Sequence, residues 1–414
     1  MTGPHAHVAL ADVCELVSRS VDPTTTPDAN YLGLEHLATG RMLPTSLGSA
    51  RDVTSQKTSY KAGDVLVSKL RPYLDKAVLA EEPGVCTTEL LPLRPKEGVD
   101  PRYLACVVHR PDFIEHAMTG VTGAHHPRTS WAHLSRFTFP SIPLAQQEAT
   151  ADLLWSIHQL LVTVEATVAA ATRLKESTAR EIFARGLPGR AGDKSSGTPS
   201  PEGWNVVPLG DLGRIGNGST PKKSVAEYWD EGSFPWLTSA KVYDREIVAA
   251  DQFVSPVALQ KCHLPVLAPG AVLVAITGQG KTLGHCAELQ IEATISQHLA
   301  YVQPDTERVL PRFLRYFLET QYAYLRQVAA GGGSTKGALT CAFLRTLTVP
   351  LPNLTDQREV VALIGALERA VQARARKQQL LERLMRSVLE PMTSGHINVG
   401  AVRAQSVPAL ETAA

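Results

Sequence analysis

Two short polar segments gather side chains suited to binding an anion or reading a base edge. SKLRPYLDK at 68–76 places Lys69, Arg71, Tyr73 and Lys76 close together, and TGQGKT at 277–282 presents Thr277, Gln279, Lys281 and Thr282. Arg and Lys suit phosphates and guanine, Gln is matched to adenine, and a Tyr ring stacks or donates a hydrogen bond. Each segment leaves an apolar, β-rich run. Later in each half comes a second polar loop: GAHHPRTSW at 123–131, with His125, His126 and Arg128, and GGGSTKG at 331–337, with Ser334, Thr335 and Lys336. GNGSTPKKS at 216–224 adds Thr220, Lys222 and Lys223, and Lys241 follows in SAKV. One such segment alone reads as a solvated turn. Polar, Gly-rich loops after the same elements in both halves favour recognition.

Catalytic constellations are missing from the sequence. There is no HExxH and no GxSxG, so zincin and nucleophile-elbow chemistry is not indicated. No lysine has an acidic residue two positions before it, which removes a nuclease core built on that pair. A methyltransferase would need a Gly-rich cofactor loop and an Asn-Pro-Pro-aromatic or related loop, and neither occurs. TGQGKTLG at 277–284 ends like a phosphate-binding loop, but the glycine that such a loop needs is replaced by Ala275. Cys262-His263 and His285-Cys286 are adjacent pairs, and neighbouring ligands strain tetrahedral metal geometry. No metal or cofactor is expected on this chain.

The elements that position these loops are written twice. PRYL near 101 returns as PRFL near 311, and KAGDVLVSK at 61–69 returns as APGAVLVAI at 268–276. WAHLSRFTFPSIPLAQQ returns as CAFLRTLTVPLPNLTDQ, so that Leu134 matches Leu344, Pro140 matches Pro350 and Gln147 matches Gln357 at one constant spacing. Agreement at three separated places predicts one duplicated unit. Each copy ends in a long stretch whose apolar positions alternate by three and four, the signature of a helix seam. The first seam is Leu154, Ile157, Leu161, Val164 and Val168; the second is Val360, Ile364, Leu367, Val371, Leu381, Met385 and Val388, with polar Arg374 and Gln378 on it. Helices of ~35–40 residues reach ~50–60 Å, longer than one domain needs, and an antiparallel coiled coil is expected.

Within each unit VLVSKL, AVLVAIT and HLAYVQP read as strands, and 101–118 and 311–328 as helices. The predicted class is α/β (α+β). A first domain at 1–144 leads into a helix at 145–185 and a Gly/Pro/Ser-rich linker at 186–203. A second domain at 204–354, a helix at 355–391 and a loose tail at 392–414 follow. Lys+Arg 41 against Asp+Glu 40 leaves +1, so the chain as a whole is not strongly basic; a local cationic surface is enough for nucleic acid. No signal peptide, 18-residue apolar run or CxxC pattern occurs, which predicts a soluble, reduced, cytoplasmic protein that does not enter a membrane.

With those residues in view, the chain resembles the specificity subunit of Type I restriction–modification systems. The resemblance rests on the ALADVCE and PLGDLGR openings, YLGLEHL at 31–37, SKLRPYLDK, TPKKSVAEYWDEGSFPWLTSAKV at 220–242, GGGSTKGAL at 331–339, and the paired FPSIPLAQQE and VPLPNLTDQRE entries to the helices. It runs from about 7 to 390. Trp204 has no counterpart in the first copy, and the first ~30 residues align poorly. The resemblance implies two target recognition domains on an antiparallel helical spacer. Each domain would read one half of a split, asymmetric sequence in double-stranded DNA. It implies a subunit that is not an enzyme and docks two modification (methyltransferase) subunits carrying S-adenosylmethionine, which restriction/translocase subunits can join. A coiled-coil adapter that binds protein, with no direct base readout, is the rival from another class.

Overall fold

The computed structural model describes residues 6–123, 125–187, 201, 203–278, 280–331 and 338–397. The chain divides into two units, one of 1–167 with 374–414 and one of 168–373. Both long helices are therefore shared: each gives one half to the first unit and the other half to the second.

The first unit is built around a four-stranded antiparallel sheet in the order Cys14–Leu16, Leu90–Pro95, Val65–Ser68, Ala77–Leu79. The second has the same order in Gly213–Asn217, Leu299–Pro304, Val272–Ala275, Cys286–Leu289, with Glu246–Ile247 added in parallel at the edge. Register repeats as well, since Val65 faces Leu93 and Val272 faces Val302. VLVS and VLVA are buried at every position, which explains why they read as unbroken apolar, β-branched runs. Gly63 at φ 89 and Gly270 at φ 87 form the turn before each strand, a left-handed conformation that a side chain would oppose.

A further sheet flanks each unit: five strands between Ser20 and Cys86 in the first, and three between Phe234 and Ile295 in the second. A small ladder closes each copy, His7–Ala9 with Thr138–Pro140 and Asn205–Pro208 with Thr348–Leu351. Trp204, beside the second ladder, packs its ring against Phe183 and Phe313.

The helices expected at 101–118 and 311–328 are each broken in two. They form Pro101–Val107 and Pro111–Thr119, then Pro311–Thr320 and Tyr322–Gly331. Pro111 cannot donate to the preceding turn, so it starts a new helix instead of continuing the old one. Asp100 caps the first helix by accepting from the amides of Arg102 and Tyr103 at 2.7 and 2.9 Å.

The repeated glutamine sits where each unit meets its long helix. Gln147 is buried; it accepts from the Asp100 amide at 3.1 Å and donates to the Ile142 carbonyl at 2.9 Å. Gln357 accepts from the Leu310 amide at 2.8 Å and donates to the carbonyls of Pro352 and Arg308 at 2.9 Å. One amide thus ties the start of the PRYL or PRFL helix to the entry of the long helix. Such a buried group is stable only because its donor and acceptor capacity is used.

The long helices run Leu144–Arg185 and Leu354–Thr393, and within each unit their halves pack antiparallel. In the first unit Leu154 and Leu389 share a core, and further along Glu165 accepts from Gln378 at 3.2 Å. In the second, Lys175 lies 3.5 Å from Glu368, and Phe183 shares a core with Val360.

Leu154, Leu161, Val164, Val360 and Ile364 are buried on this seam. Ile157, Val168, Leu367, Val371, Leu381, Met385 and Val388 are half-buried, Gln378 is half-buried, and Arg374 lies on the exposed side. The second helix continues through Pro391, and Met392 and Thr393 are buried with the hydroxyl of Tyr103 donating to the Thr393 carbonyl at 2.6 Å. An 18-residue stretch of Leu144–Arg185 reaches a mean hydropathy of 1.4. Its apolar side chains split between this seam and an outward stripe that includes Leu153 and Leu160.

Candidate nucleic-acid interface

In the first unit the two polar loops lie side by side. Leu70 forms a bridge with Arg128, the Arg71 amide donates to the Pro127 carbonyl at 2.8 Å, and the Thr129 amide donates to the Lys69 carbonyl at 2.9 Å. The tip is a single 3-10 turn, Pro72–Leu74, between Arg71 at φ 50 and Asp75 at φ 47. Two left-handed non-glycine residues around one turn cost on the order of 1–3 kcal/mol each, so the surroundings must impose them. Asp75 is held by the His109 ring at 2.6 Å and by the Gly40 amide at 2.8 Å. The turn lifts Tyr73 to 52% exposure. Arg71 is half-buried, and its Nε has no acceptor among the described residues.

His125 and His126 are exposed beside this tip, and Arg128 pairs with Glu89 at 3.0 Å. Lys69 is half-buried at the base of the loop. Lys76 is occupied inside the fold: its ammonium donates to the Leu34 carbonyl at 2.7 Å.

The second unit repeats the juxtaposition. Thr277 bridges Ala338, and the Leu339 amide donates to the Ile276 carbonyl at 2.8 Å. The segment leaving Ile276 is therefore paired with Ala338 and Leu339, the residues that follow GGGSTKG in the sequence. Gln279, Ser334, Thr335 and Lys336 lie outside the described residues. The segment after Gly284 is the strand Cys286–Leu289; a phosphate-binding loop would run into a helix there.

Side chains distant in sequence hold this loop from below. Tyr322 donates to the Lys281 carbonyl at 2.7 Å, Arg326 to the Gly280 carbonyl at 2.7 Å, and the hydroxyls of Tyr243 and Thr282 are 3.0 Å apart. Thr277 bonds the His298 ring at 2.6 Å. Lys281, Lys222 and Lys223 are exposed, and Thr220 is half-buried. Two indoles pin the 219–229 segment: Trp229 donates to the Lys222 carbonyl and Trp236 to the Ser219 carbonyl, each at 3.2 Å. Lys241 is tied to Asp244 at 2.7 Å and Asp251 at 3.4 Å. The Asp244 hydrogen bond is the main reason its pKa is raised. Its charge is already spent on those carboxylates.

Behind each pair of loops lies a buried polar cluster that sequence reasoning did not find. In the second unit Arg315 is fully buried; it pairs with Glu368 at 2.7 Å and also with Glu319, while Lys175 pairs with Glu319 at 2.7 Å. Burial pushes the Glu368 carboxyl up, but the Arg315 hydrogen bond and the charges of Arg315 and Lys175 outweigh it and hold it at about 2.

The repeat spacing maps Glu319 and Glu368 onto His109 and His158. Burial, with Arg41 and His109 nearby, lowers His158 to about 4. Burial also disfavours charge on His109, but the Asp75 charge and hydrogen bond overcome it and raise its pKa.

Comparison with known proteins places these loops on a known scaffold. Residues 201–383 match the family model for the Type I restriction modification DNA specificity domain. The chain is 22% identical over 411 residues to the putative Type I restriction enzyme MjaX specificity subunit of Methanocaldococcus jannaschii, covering 94% of this chain and 93% of that one. It is 23% identical over 189 residues to the MjaIX specificity subunit of the same organism, covering 44% of this chain and 42% of the relative. A solved chain from work on complex assembly and conformational transition of the Type I R-M system superposes with a TM-score of 0.61 at 21% identity. That match covers 96% of this chain and 99% of the solved one. It carries the two-unit, two-helix architecture.

Proposed function

We propose that the chain is a specificity subunit of a Type I restriction–modification system, and that each unit reads one half of a bipartite DNA sequence through its own pair of loops. The observation that carries this reading is the repeated juxtaposition of a post-strand loop with a later Gly-rich loop. In both copies the frame is the same and the side chains differ. Lys69, Arg71, Tyr73, His125, His126 and Arg128 form the first reading surface. Thr220, Lys222, Lys223, Thr277, Gln279, Lys281 and Thr282 form the second, together with Ser334, Thr335 and Lys336. Arg71 and Gln279 act as base readers and Lys336 contacts phosphate. Lys76 and Lys241 support their loops.

The chain is a recognition subunit and leaves chemistry to its partners in the restriction–modification complex. We assign docking of two modification subunits to the outward stripes of the long helices. In the first unit these include Leu153 at 39% exposure and Leu384 at 44%; in the second, Leu363 at 37% and Leu174 at 54%. Repeat spacing pairs Leu153 with Leu363 and Leu174 with Leu384, so each copy offers a partner helix the same apolar positions. S-adenosylmethionine belongs to those partners, restriction subunits join the same core, and the assembly works in the cytoplasm.

Alanine substitution tests the reading surface. Arg71→Ala in the assembled methyltransferase is expected to cost ~1–3 kcal/mol on the cognate duplex and to relax choice at one base pair. Lys281→Ala is expected to weaken cognate and scrambled duplexes alike and to flatten the salt dependence by ~0.9 in log–log slope if it meets one phosphate. Unchanged affinity and slope in both variants would place the DNA elsewhere.

A further inference from the structure

A cavity of about 440 Å³ opens in the second unit between the first long helix and the turn Ser239–Asp244. Small-molecule sites occupy roughly 300–1,000 Å³. One wall is aromatic: the Tyr243 and His285 rings lie 5.1 Å apart, and His285 and Tyr322 lie 4.4 Å apart. The other wall is charged: Lys175 is taken up by Glu319 at 2.7 Å, while the half-exposed Arg245 meets Glu368 through Nη1 at 3.3 Å and Arg180 reaches Glu176 only at 4.0 Å. Burial and then Arg245 lower the pKa of His285, so that ring is neutral at pH 7. The lining therefore holds three cationic groups against two carboxylates, facing three aromatic rings tilted to one another by 52° and 36°.

This lining is not required by the shared fold. Repeat spacing gives Met385 and His109 in the first unit where the second has Lys175 and Glu319. The cavity also lies directly under a reading loop. Tyr322 and Tyr243, two of its walls, are the residues whose hydroxyls hold Lys281 and Thr282, and Gly284 at the end of that loop lines it.

We propose that this cavity binds a nucleoside monophosphate. Its base rests on the Tyr243, His285 and Tyr322 wall, its phosphate on Arg180 and Arg245, and its presence steadies the 277–284 loop. Aromatic faces stack bases at ~1–3 kcal/mol per base, and guanidinium groups take phosphate in a fork. The same chemistry could arrive as a free nucleotide or as a nucleotide turned out of bound DNA. Only the second source rests on the DNA-reading proposal.

Two arms separate the sources, both comparing wild type with Ala323→Phe, which fills the cavity from an exposed position, and Arg180→Ala, at a side chain 61% exposed. In the first arm the full-length chain is titrated with adenosine monophosphate by calorimetry. Binding that weakens at least tenfold in both variants assigns the site to a free nucleotide. In the second, cognate duplexes carrying 2-aminopurine at successive positions are bound by the assembled methyltransferase. A fluorescence rise in wild type that disappears in Ala323→Phe assigns the site to a displaced base. If wild type binds duplex normally yet neither arm responds to the variants, the cavity is not a nucleotide site, and the DNA-reading proposal stands unaffected. Loss of duplex binding by wild type itself would instead count against that proposal.

Discussion

The two units solve one structural problem with opposite chemistry. Each must anchor the PRYL or PRFL helix onto a long helix. In the second unit Glu319 and Glu368 do this as carboxylates, with buried Arg315 and Lys175 as counter-ions. In the first the same positions are His109 and His158, with Ala105 where the second has Arg315. There the loop is held through Asp75, which the His109 ring bonds at 2.6 Å. The scaffold thus tolerates a complete change of charge: the carboxylates are ion-paired, His109 bonds Asp75, and burial beside Arg41 holds His158 neutral. The first unit ties its polar cluster directly to the Arg71–Asp75 turn, whereas in the second unit Tyr322, Arg326 and Tyr243 hold the loop.

The largest expected difference comes from breaking the ionic version. Glu368→Leu leaves Arg315 and Lys175 buried with one carboxylate fewer, which is expected to cost about 3–5 kcal/mol. Hydrogen exchange should show the loss as faster opening of Pro311–Thr320, while Pro101–Val107 is untouched. His158→Leu should cost less than half as much, because it removes a group held neutral by burial. Equal losses in the two variants would mean that the clusters are energetically alike.

Acid should also separate the units. His158 has a folded pKa of about 4 against ~6.5 when unfolded. The unfolded state therefore takes up the proton first, and stability present above about 6.5 is lost as pH falls toward 4, by at most about 2–3 kcal/mol. His109 is raised and acts in the opposite sense, with its contribution present at low pH and lost as pH rises through its folded value. Glu368, held at about 2, gives stability present above its unfolded value of ~4.3 and lost only below that. Between pH 7 and 5 the first unit should soften through His158 while Glu368 gives the second no response. His285 of the second unit, also lowered, acts in the same sense as His158, so the test is the change in the first unit's slope on substitution. His158→Leu should remove that slope. Exchange rates recorded across this range for both units check it.

A symmetric effect is expected at the repeated glutamine. Gln147→Leu and Gln357→Leu each strand an amide and two carbonyls at a helix junction, at about 1–3 kcal/mol for each group stranded, read as the shift in urea midpoint. A large difference between them would show that the junctions are not equivalent.

Much of this comparison could be read in the sequence, because the duplicated signals were local. Leu134 with Leu344, Gln147 with Gln357, and the VLVS and VLVA strands repeat with their neighbours, and the structure repeats the same sheet order and ladder around them. The position of a polar loop after the same strand in each copy was legible for the same reason. What escaped was whatever depends on a distant partner. Lys76 looks free until Leu34 offers its carbonyl, and Lys241 until Asp251 folds back on it. Nothing in the sequence marks Arg315 or Glu368, yet both are buried because they find each other across the helix interface. His158 was passed over for Ile157 on the seam, since apolar spacing cannot anticipate a buried imidazole. The breaks at Pro111 and Gln321 were smoothed over by an apolar pattern that continues through them.

The spacer carries a prediction of its own. Four residues inserted in both long helices, after Val164 and after Gln378, keep Glu165 and Gln378 as near neighbours in the pair while adding about one turn, or ~6 Å. The gap between the half-sites should grow by one or two base pairs. An unchanged gap in an active complex would remove the helices as the ruler.

The central claim is that recognition is divided between the units, and exchange of one unit tests it most directly. Residues 204–354 are replaced by the matching segment of a related specificity subunit, and methylated sites are sequenced genome-wide in cells carrying the complete system. The account predicts a hybrid target in which one half-site switches to that of the relative and the other stays as it was. A target in which both halves change together, or neither does in a complex that still methylates, would contradict it.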